Sequence, residues 1–208
     1  MDGTLLNGRV IYSIGEKFGI LENVKSIINK RIPPLEKSKI IAKQLAGYKI
    51  REIFEAIKKI PLMTGALETI NKIKQNGYQM GVISDSYTIA TSYLAKRLNM
   101  DFDIANELEV QEGIATGQIS MPLGWEKVNC GCKRSVCKRF FLRKFAFLME
   151  IPMSNCIAIG DSLGDWCMLE EAGTGIAFDP KDEKLVIKYA DVVIKEQDLR
   201  HMLNWILC

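Results

Sequence analysis

In this chain the polar residues directly behind apolar runs are the first places to look for chemistry. Gly160-Asp161-Ser162-Leu163-Gly164-Asp165 follows the run Cys156-Ile157-Ala158-Ile159, and Ser84-Asp85-Ser86 follows the run Tyr78-Gln79-Met80-Gly81-Val82-Ile83. If both runs are parallel strands, these residues lie outside the carboxyl ends of a sheet, where such sheets bind ligands. A carboxylate pair there suits a hard cation such as Mg²⁺, which prefers carboxylate and water oxygens. A serine hydroxyl and a lysine ammonium suit a phosphoryl group, whose transfer needs cations and hydrogen-bond donors more than elaborate covalent chemistry. The string Gly-Asp-x-x-x-Asp reads equally as a turn followed by a helix N-cap, because Asp is favoured in both roles.

Positioning such groups requires strands that alternate with helices, and the chain has that rhythm after Gly65. Residues Ala66 to Gln75 read as helix, Asn76-Gly77 as a turn and Tyr78 to Ile83 as a strand, with Ser84-Asp85-Ser86 capping the next helix. Glu107 to Ile119 alternates around Glu112-Gly113 and reads as a β-hairpin. A helix over Ser135 to Met149, the strand Cys156 to Ile159, a helix to Ala172, and short strands near Gly175 to Phe178 and Asp191 to Ile194 complete the pattern. The expected class is α/β, a Rossmann-like three-layer parallel sheet. From Val10 to Gln75 the texture is helical instead, with apolar residues at three- and four-residue spacing such as Ile50, Ile53, Phe54 and Ile57. Pro33-Pro34 breaks this region and Pro61 ends the helix before it.

At 208 residues and 48% hydrophobic side chains the chain can bury one core and carry a moderate insertion. A net charge of +3 from interspersed signs leaves no electrostatic footprint for nucleic acid. The one local excess, Lys133, Arg134, Lys138, Arg139, Arg143 and Lys144, reads as a solvated helix face. No apolar run approaches the roughly 20 residues of a membrane span, and Met1 to Arg9 has neither the basic start nor the apolar stretch of a signal peptide. A cytoplasmic protein with no membrane partner and with reduced cysteines is expected.

Asp2-Gly3-Thr4-Leu5-Leu6, then apolar-Ser84, then a lysine upstream of Gly160-Asp161-x-x-x-Asp165, together resemble the haloacid dehalogenase superfamily of phosphatases. The resemblance spans nearly the whole chain and is nearest to the phosphoserine phosphatase type. It implies a Mg²⁺-dependent phosphatase that hydrolyses a small phosphorylated metabolite through an aspartyl-phosphate intermediate. It also implies a helical cap inserted between the first and second motifs, here residues 9–62, with residues 1–8 and 63–208 as the Rossmann-like core. Asp2 corresponds to the second aspartate of the family's Asp-x-Asp-Gly-Thr motif, the general acid and base, and joins Asp161 and Asp165 at the metal. Lys133, Lys138 and Lys144 compete for the phosphoryl-binding lysine. In similar proteins it stands a little more than twenty residues before the fourth motif, which selects Lys138. Ser84, Asp85 and Arg9 are the expected substrate-binding residues.

Three features depart from that pattern. The family's nucleophile lies two positions before the general acid, which puts it ahead of Met1. The expectation is that Met1 is an internal methionine of an apolar-Asp-Met-Asp-Gly-Thr stretch, with the nucleophile just upstream; the alternative is an inactive family member that binds a phosphorylated ligand. The glutamate that phosphoserine phosphatases usually place seven residues after the acid is Arg9 here. This reversal points to a substrate with a second anionic or a neutral polar group, and Ser84-Asp85-Ser86 with Cys137-Lys138 resembles relatives acting on phosphocholine, phosphoethanolamine or other small esters. Finally, Cys130, Cys132 and Cys137 could bind Zn²⁺ with a fourth ligand from elsewhere. Their spacing is not a paired Cys-x-x-Cys, so they read as reduced, partly buried thiols. His201 reads as a surface residue, and Trp125, Trp166 and Trp205 as packing residues, with Trp125 in reach of a substrate.

Overall fold

A computed structural model describes residues 1–123, 128–181 and 183–207. Trp125 lies outside them. Four helices occupy the first third: α1 (Val10–Phe18), α2 (Leu21–Asn29), α3 (Pro34–Lys43) and α4 (Ile50–Lys58). Pro34 takes the first turn of α3, where its missing N–H is no loss. Gly19 ends α1 in the left-handed region at φ 69°, and its amide returns to Glu16 and Gly15. The apolar stripe read from the sequence is the buried face: Ile53, Ala56 and Ile57 of α4 pack with Val10 and Ile14 of α1. This helical segment leaves and re-enters the rest of the chain at one clasp. Leu6 and Leu62 form an antiparallel bridge, Asn7 N–H donates to Pro61 O at 2.9 Å, and Met63 N–H donates to Leu5 O at 2.9 Å.

The remainder alternates helix and strand as expected: α5 (Ala66–Gln75), β1 (Gly81–Tyr87), α6 (Thr88–Arg97), β2 (Phe102–Gln111) and β3 (Ile114–Ser120). After these come α7 (Lys138–Leu148), β4 (Ile157–Gly160), α8 (Trp166–Leu169), β5 (Thr174–Phe178), α9 (Glu183–Val186), β6 (Val192–Ile194) and α10 (Leu203–Ile206). Among the described residues the strands form two three-stranded sheets rather than one. In the first, β1 pairs parallel with β2 and β2 antiparallel with β3; in the second, β4, β5 and β6 are all parallel. The hairpin β2–β3 turns on Glu112 and Gly113, both at positive φ (51° and 77°), the backbone that matches the twist of paired strands.

Side chains alternate across β5. Ile176 and Phe178 enter a cluster with Ala66 and Ile73 of α5, whereas Ala177 enters another with Phe141 of α7 and Met168 of α8. The second sheet is thus covered on both faces, which is the three-layer arrangement. Phe145 of α7 stacks on Phe102 of β2 with ring centroids 3.9 Å apart, tying α7 to the first sheet.

Three expectations are corrected. Ser84-Asp85-Ser86 does not cap a helix: β1 continues through Tyr87, and α6 begins at Thr88. Tyr87 is buried in the helical cluster, which draws the strand onward, and the β1–β2 register shifts between Ile83 and Tyr87. A bulge of this kind re-aims side chains out of the ladder. Helix α7 starts at Lys138 rather than Ser135 because the preceding loop is held elsewhere, as described next. His201 is exposed as expected, Trp205 is 54% exposed and so is not a packing residue, and Trp166 is half-buried. Among the described residues no helix is long and apolar enough to cross a membrane.

Candidate active site

The carboxyl ends of β1 and β4 open on one cleft of about 480 Å³. All seven residues singled out in the sequence line it: Asp2, Arg9, Ser84, Asp85, Lys138, Asp161 and Asp165. On its floor, Lys138 in the first turn of α7 donates to Asp165 Oδ1 at 2.5 Å, and both residues are buried, 7% and 3% exposed. Ser162 occupies the other oxygen, donating to Asp165 Oδ2 from its amide (3.1 Å) and its hydroxyl (3.0 Å). A Cβ on Gly160 would sit 2.3 Å from the Asp165 Cβ, so glycine is required where β4 ends. Burial pushes the Asp165 carboxyl up, but Lys138, the Met1 amino group and the hydrogen bonds outweigh it and hold it below the usual range. Burial likewise works against the Lys138 ammonium, and Asp165 and then Asp85 reverse this and raise it. The pair therefore stays ionised.

Asp2 and Asp161 are less satisfied. Asp2 Oδ2 accepts the Val10 amide at 3.2 Å, so the free first turn of α1 anchors it, while Oδ1 is buried with no hydrogen-bond partner. Burial raises the Asp2 carboxyl to about 6, helped by Asp161 and opposed by the Met1 amino group. Asp161 is raised by burial and then by Asp165. Among the described residues no other residue donates to its side chain. Gly3, at φ 75°, lies against it: a Cβ there would be 2.2 Å from Asp161 Oδ2. A buried orphan oxygen beside an unpaired carboxylate is an all-oxygen donor set that fits Mg²⁺. Asp165, with both oxygens taken, suits support of that set from behind.

The side of the cleft formed by β1 is built from a loop. Asp85 accepts from Arg134 Nη1 (3.2 Å), the Val136 amide (3.1 Å) and the Ser135 hydroxyl (3.4 Å), so its carboxylate orients the loop before α7. Buried Asn106 reinforces this, donating to Asp85 O at 2.6 Å and Ser135 Oγ at 2.9 Å. Ser84 Oγ accepts the Ser86 amide at 3.1 Å within the bulge. The basic run read as a solvated face is split: Lys133, Arg143 and Lys144 are exposed, whereas Lys138 and Arg134 turn into the cleft. Arg134 is the residue missed by sequence reasoning. Its only sequence signal is membership of that run, and the acid that turns it inward stands far away at Asp85. Across the cleft stand Arg9, just before α1, and from α1 to α3 Lys37 and Ser38 with Ile11, Ile28 and Ile41.

A family model for haloacid dehalogenase-like hydrolases matches residues 1–170. The chain belongs to this family. It is 31% identical over 209 residues to a phosphoserine phosphatase of Methanocaldococcus jannaschii, covering 99% of this chain and 94% of that protein. A phosphoserine phosphatase of Mycobacterium tuberculosis is 31% identical over 205 residues, 93% of this chain but 48% of that longer protein. A solved structure described as a phospho-aspartyl intermediate analogue of phosphoserine phosphatase superposes with TM-score 0.86 at 30% identity, covering 99% of this chain and 95% of that one.

Proposed function

We propose that this haloacid dehalogenase phosphatase hydrolyses a small phosphomonoester with Mg²⁺ through an aspartyl-phosphate, the nucleophilic aspartate standing just before Met1. The observation that carries the reading is the cleft floor, where the ionised Lys138–Asp165 pair lies beside Asp2 and Asp161 with a buried oxygen to spare. The Met1 amino group lies among these groups: burial, and then Lys138, lower its affinity for a proton. A residue added upstream would enter the same floor, the place this reading gives to the nucleophile.

Each side chain has a distinct task. Lys138, Arg134 and Ser84 would bind the phosphoryl oxygens, and the charge on them grows most in the transition state. Asp2, whose carboxyl burial raises above the ordinary range in the metal-free floor, is placed to protonate the leaving alkoxide and then to accept a proton from water. Mg²⁺ held by Asp161 and Asp2, with Asp165 behind them, would neutralise phosphoryl oxygen charge. Residues 9–62 act as a cap that excludes water and meets the leaving group. Arg9 and Lys37 favour a leaving group with a second anionic or a neutral polar function, and Ile11, Ile28 and Ile41 give it a short apolar wall. The phosphoserine phosphatases among its relatives support the substrate class; Arg9 argues for a different member of it. The free thiols suit a reducing compartment, the cytoplasm.

The test is phosphate release from a panel of small phosphomonoesters by the full protein with its native N-terminus, with and without Mg²⁺. Mass spectrometry of the N-terminal peptide runs alongside. Mg²⁺-dependent turnover with an aspartate before Met1 is expected. Binding of phosphate esters without turnover by that protein would overturn the catalytic reading and leave a phospho-ligand-binding protein.

A further inference from the structure

Four thiols stand outside the cleft chemistry. Cys130, Cys132, Cys137 and Cys167 are all buried, and their sulfurs lie within 4.8 Å of one another. None is joined in a disulfide. Three come from the loop that leads into α7 and the fourth from α8, so the ligand missing from the local sequence pattern is supplied by the fold. Val128 and Trp166 pack against the cluster and keep it dry. The loop reaches this arrangement through strained backbone: Asn129 and Lys133 flank it at φ 49° and 51°, a conformation that non-glycine residues adopt at some cost.

We propose that Cys130, Cys132, Cys137 and Cys167 form a closed tetrathiolate site for one Zn²⁺. A tetrahedral ion with Zn–S bonds of about 2.3 Å sets its four sulfurs roughly 3.8 Å apart. Sulfurs already within 4.8 Å need only a small contraction to reach that spacing, and the enclosed volume suits one ion rather than a multi-iron cluster. Four thiolates leave no open coordination position, which marks a structural rather than a catalytic centre. Soft sulfur donors also separate this site from the all-oxygen set in the cleft, so the two do not compete for the same metal.

The location gives the ion its use. Cys137 immediately precedes Lys138, and Cys167 follows Asp165 by two residues. One ion bound to both would fasten the start of α7 to the start of α8, the two elements at whose N-terminal ends Lys138 and Asp165 form the buried ion pair of the cleft. It would also fix the loop that carries Arg134 and contacts α3, where the Leu35 amide donates to Lys133 O at 3.3 Å.

The test is elemental analysis of the full protein, purified under reducing conditions without chelators or metal-affinity resin. One zinc per chain is expected, retained when Asp161→Asn removes the cleft carboxylate and lost in Cys132→Ser and Cys167→Ser. To keep the test independent of the folding of those variants, the wild-type protein is also stripped and refilled with Co²⁺. A four-thiolate site gives intense sulfur-to-cobalt charge-transfer bands that saturate at one equivalent, and Zn²⁺ but not Mg²⁺ restores the thermal midpoint lost on stripping. Zinc below about a tenth per chain with no cobalt bands, iron in place of zinc, or disulfides among these cysteines in the freshly isolated protein would each overturn the assignment.

Discussion

On the floor of the cleft, Lys138 and Asp165 are buried, fixed by short hydrogen bonds and shifted in proton affinity by their surroundings. On the opposite wall, Arg9 is exposed and rests over the Tyr12 ring at 5.3 Å, and Lys37 donates to the Ile28 carbonyl at 2.5 Å. The floor groups cannot move without leaving a buried charge unpaired, whereas the wall groups can exchange one polar partner for another at little cost. On the proposed reading, rigidity on one side and latitude on the other separate the transfer of a phosphoryl group from the choice of what carries it.

Substitutions on the two sides should therefore differ in size and in kind. Asp161→Asn is expected to lower Mg²⁺-dependent turnover on the order of 10³-fold or more, with folding intact by circular dichroism; near-normal turnover would remove this carboxylate from the metal. Lys138→Met should lower kcat about 10²–10³-fold and destabilise the fold by about 3–5 kcal/mol, because Asp165 is left as an uncompensated buried charge. Urea titration measures the second effect, and a variant as stable as the parent would mean that the pair is not buried in solution.

Asp2→Asn gives a pH signature. In the unfolded chain this carboxyl ionises near its ordinary 3.8, and in the fold only near 6. The metal-free chain that begins at Met1 therefore loses stability as pH rises from about 4 to 6, by at most about 3 kcal/mol, and the loss persists above that window. Asn does not titrate, so the variant should match the parent at pH 4 and exceed it at pH 7.5; a constant difference across this range would count against the burial of Asp2. Smallest of all, Arg9→Gln should change KM no more than about fivefold and leave kcat alone. A large fall in kcat there would place Arg9 with the floor groups and dissolve the distinction.

The floor was the more legible side in the sequence. Asp161 and Asp165 stand directly behind an apolar strand, and Lys138 was separable from Lys133 and Lys144 only because the family fixes an interval. The helical stripe through Ile53 and Ile57 and the turn at Glu112-Gly113 were readable because period and positive φ are local properties. The misses share one cause, contacts between residues far apart in the chain. Asp85 pulls Arg134 inward from a run that looked solvated, Tyr87 draws β1 past the point where Ser84-Asp85-Ser86 suggested a cap, and Cys167 completes a cluster whose nearest member is Cys137.

The clasp at Leu6 and Leu62 has a consequence for how this molecule could be rebuilt. Paired residues on antiparallel strands have Cα atoms only about 4.5–5.5 Å apart, so residues 7–61 begin and end at nearly the same point in space. A segment attached in this way can be exchanged for a longer, shorter or differently folded one without moving Asp161, and without moving Asp2 where the new segment opens on a helical turn whose amide replaces that of Val10, provided it still covers the apolar surface around Leu94 and Ala115. The clasp is a graft junction: new substrate preferences could be installed across it while the phosphoryl-transfer floor is inherited unchanged.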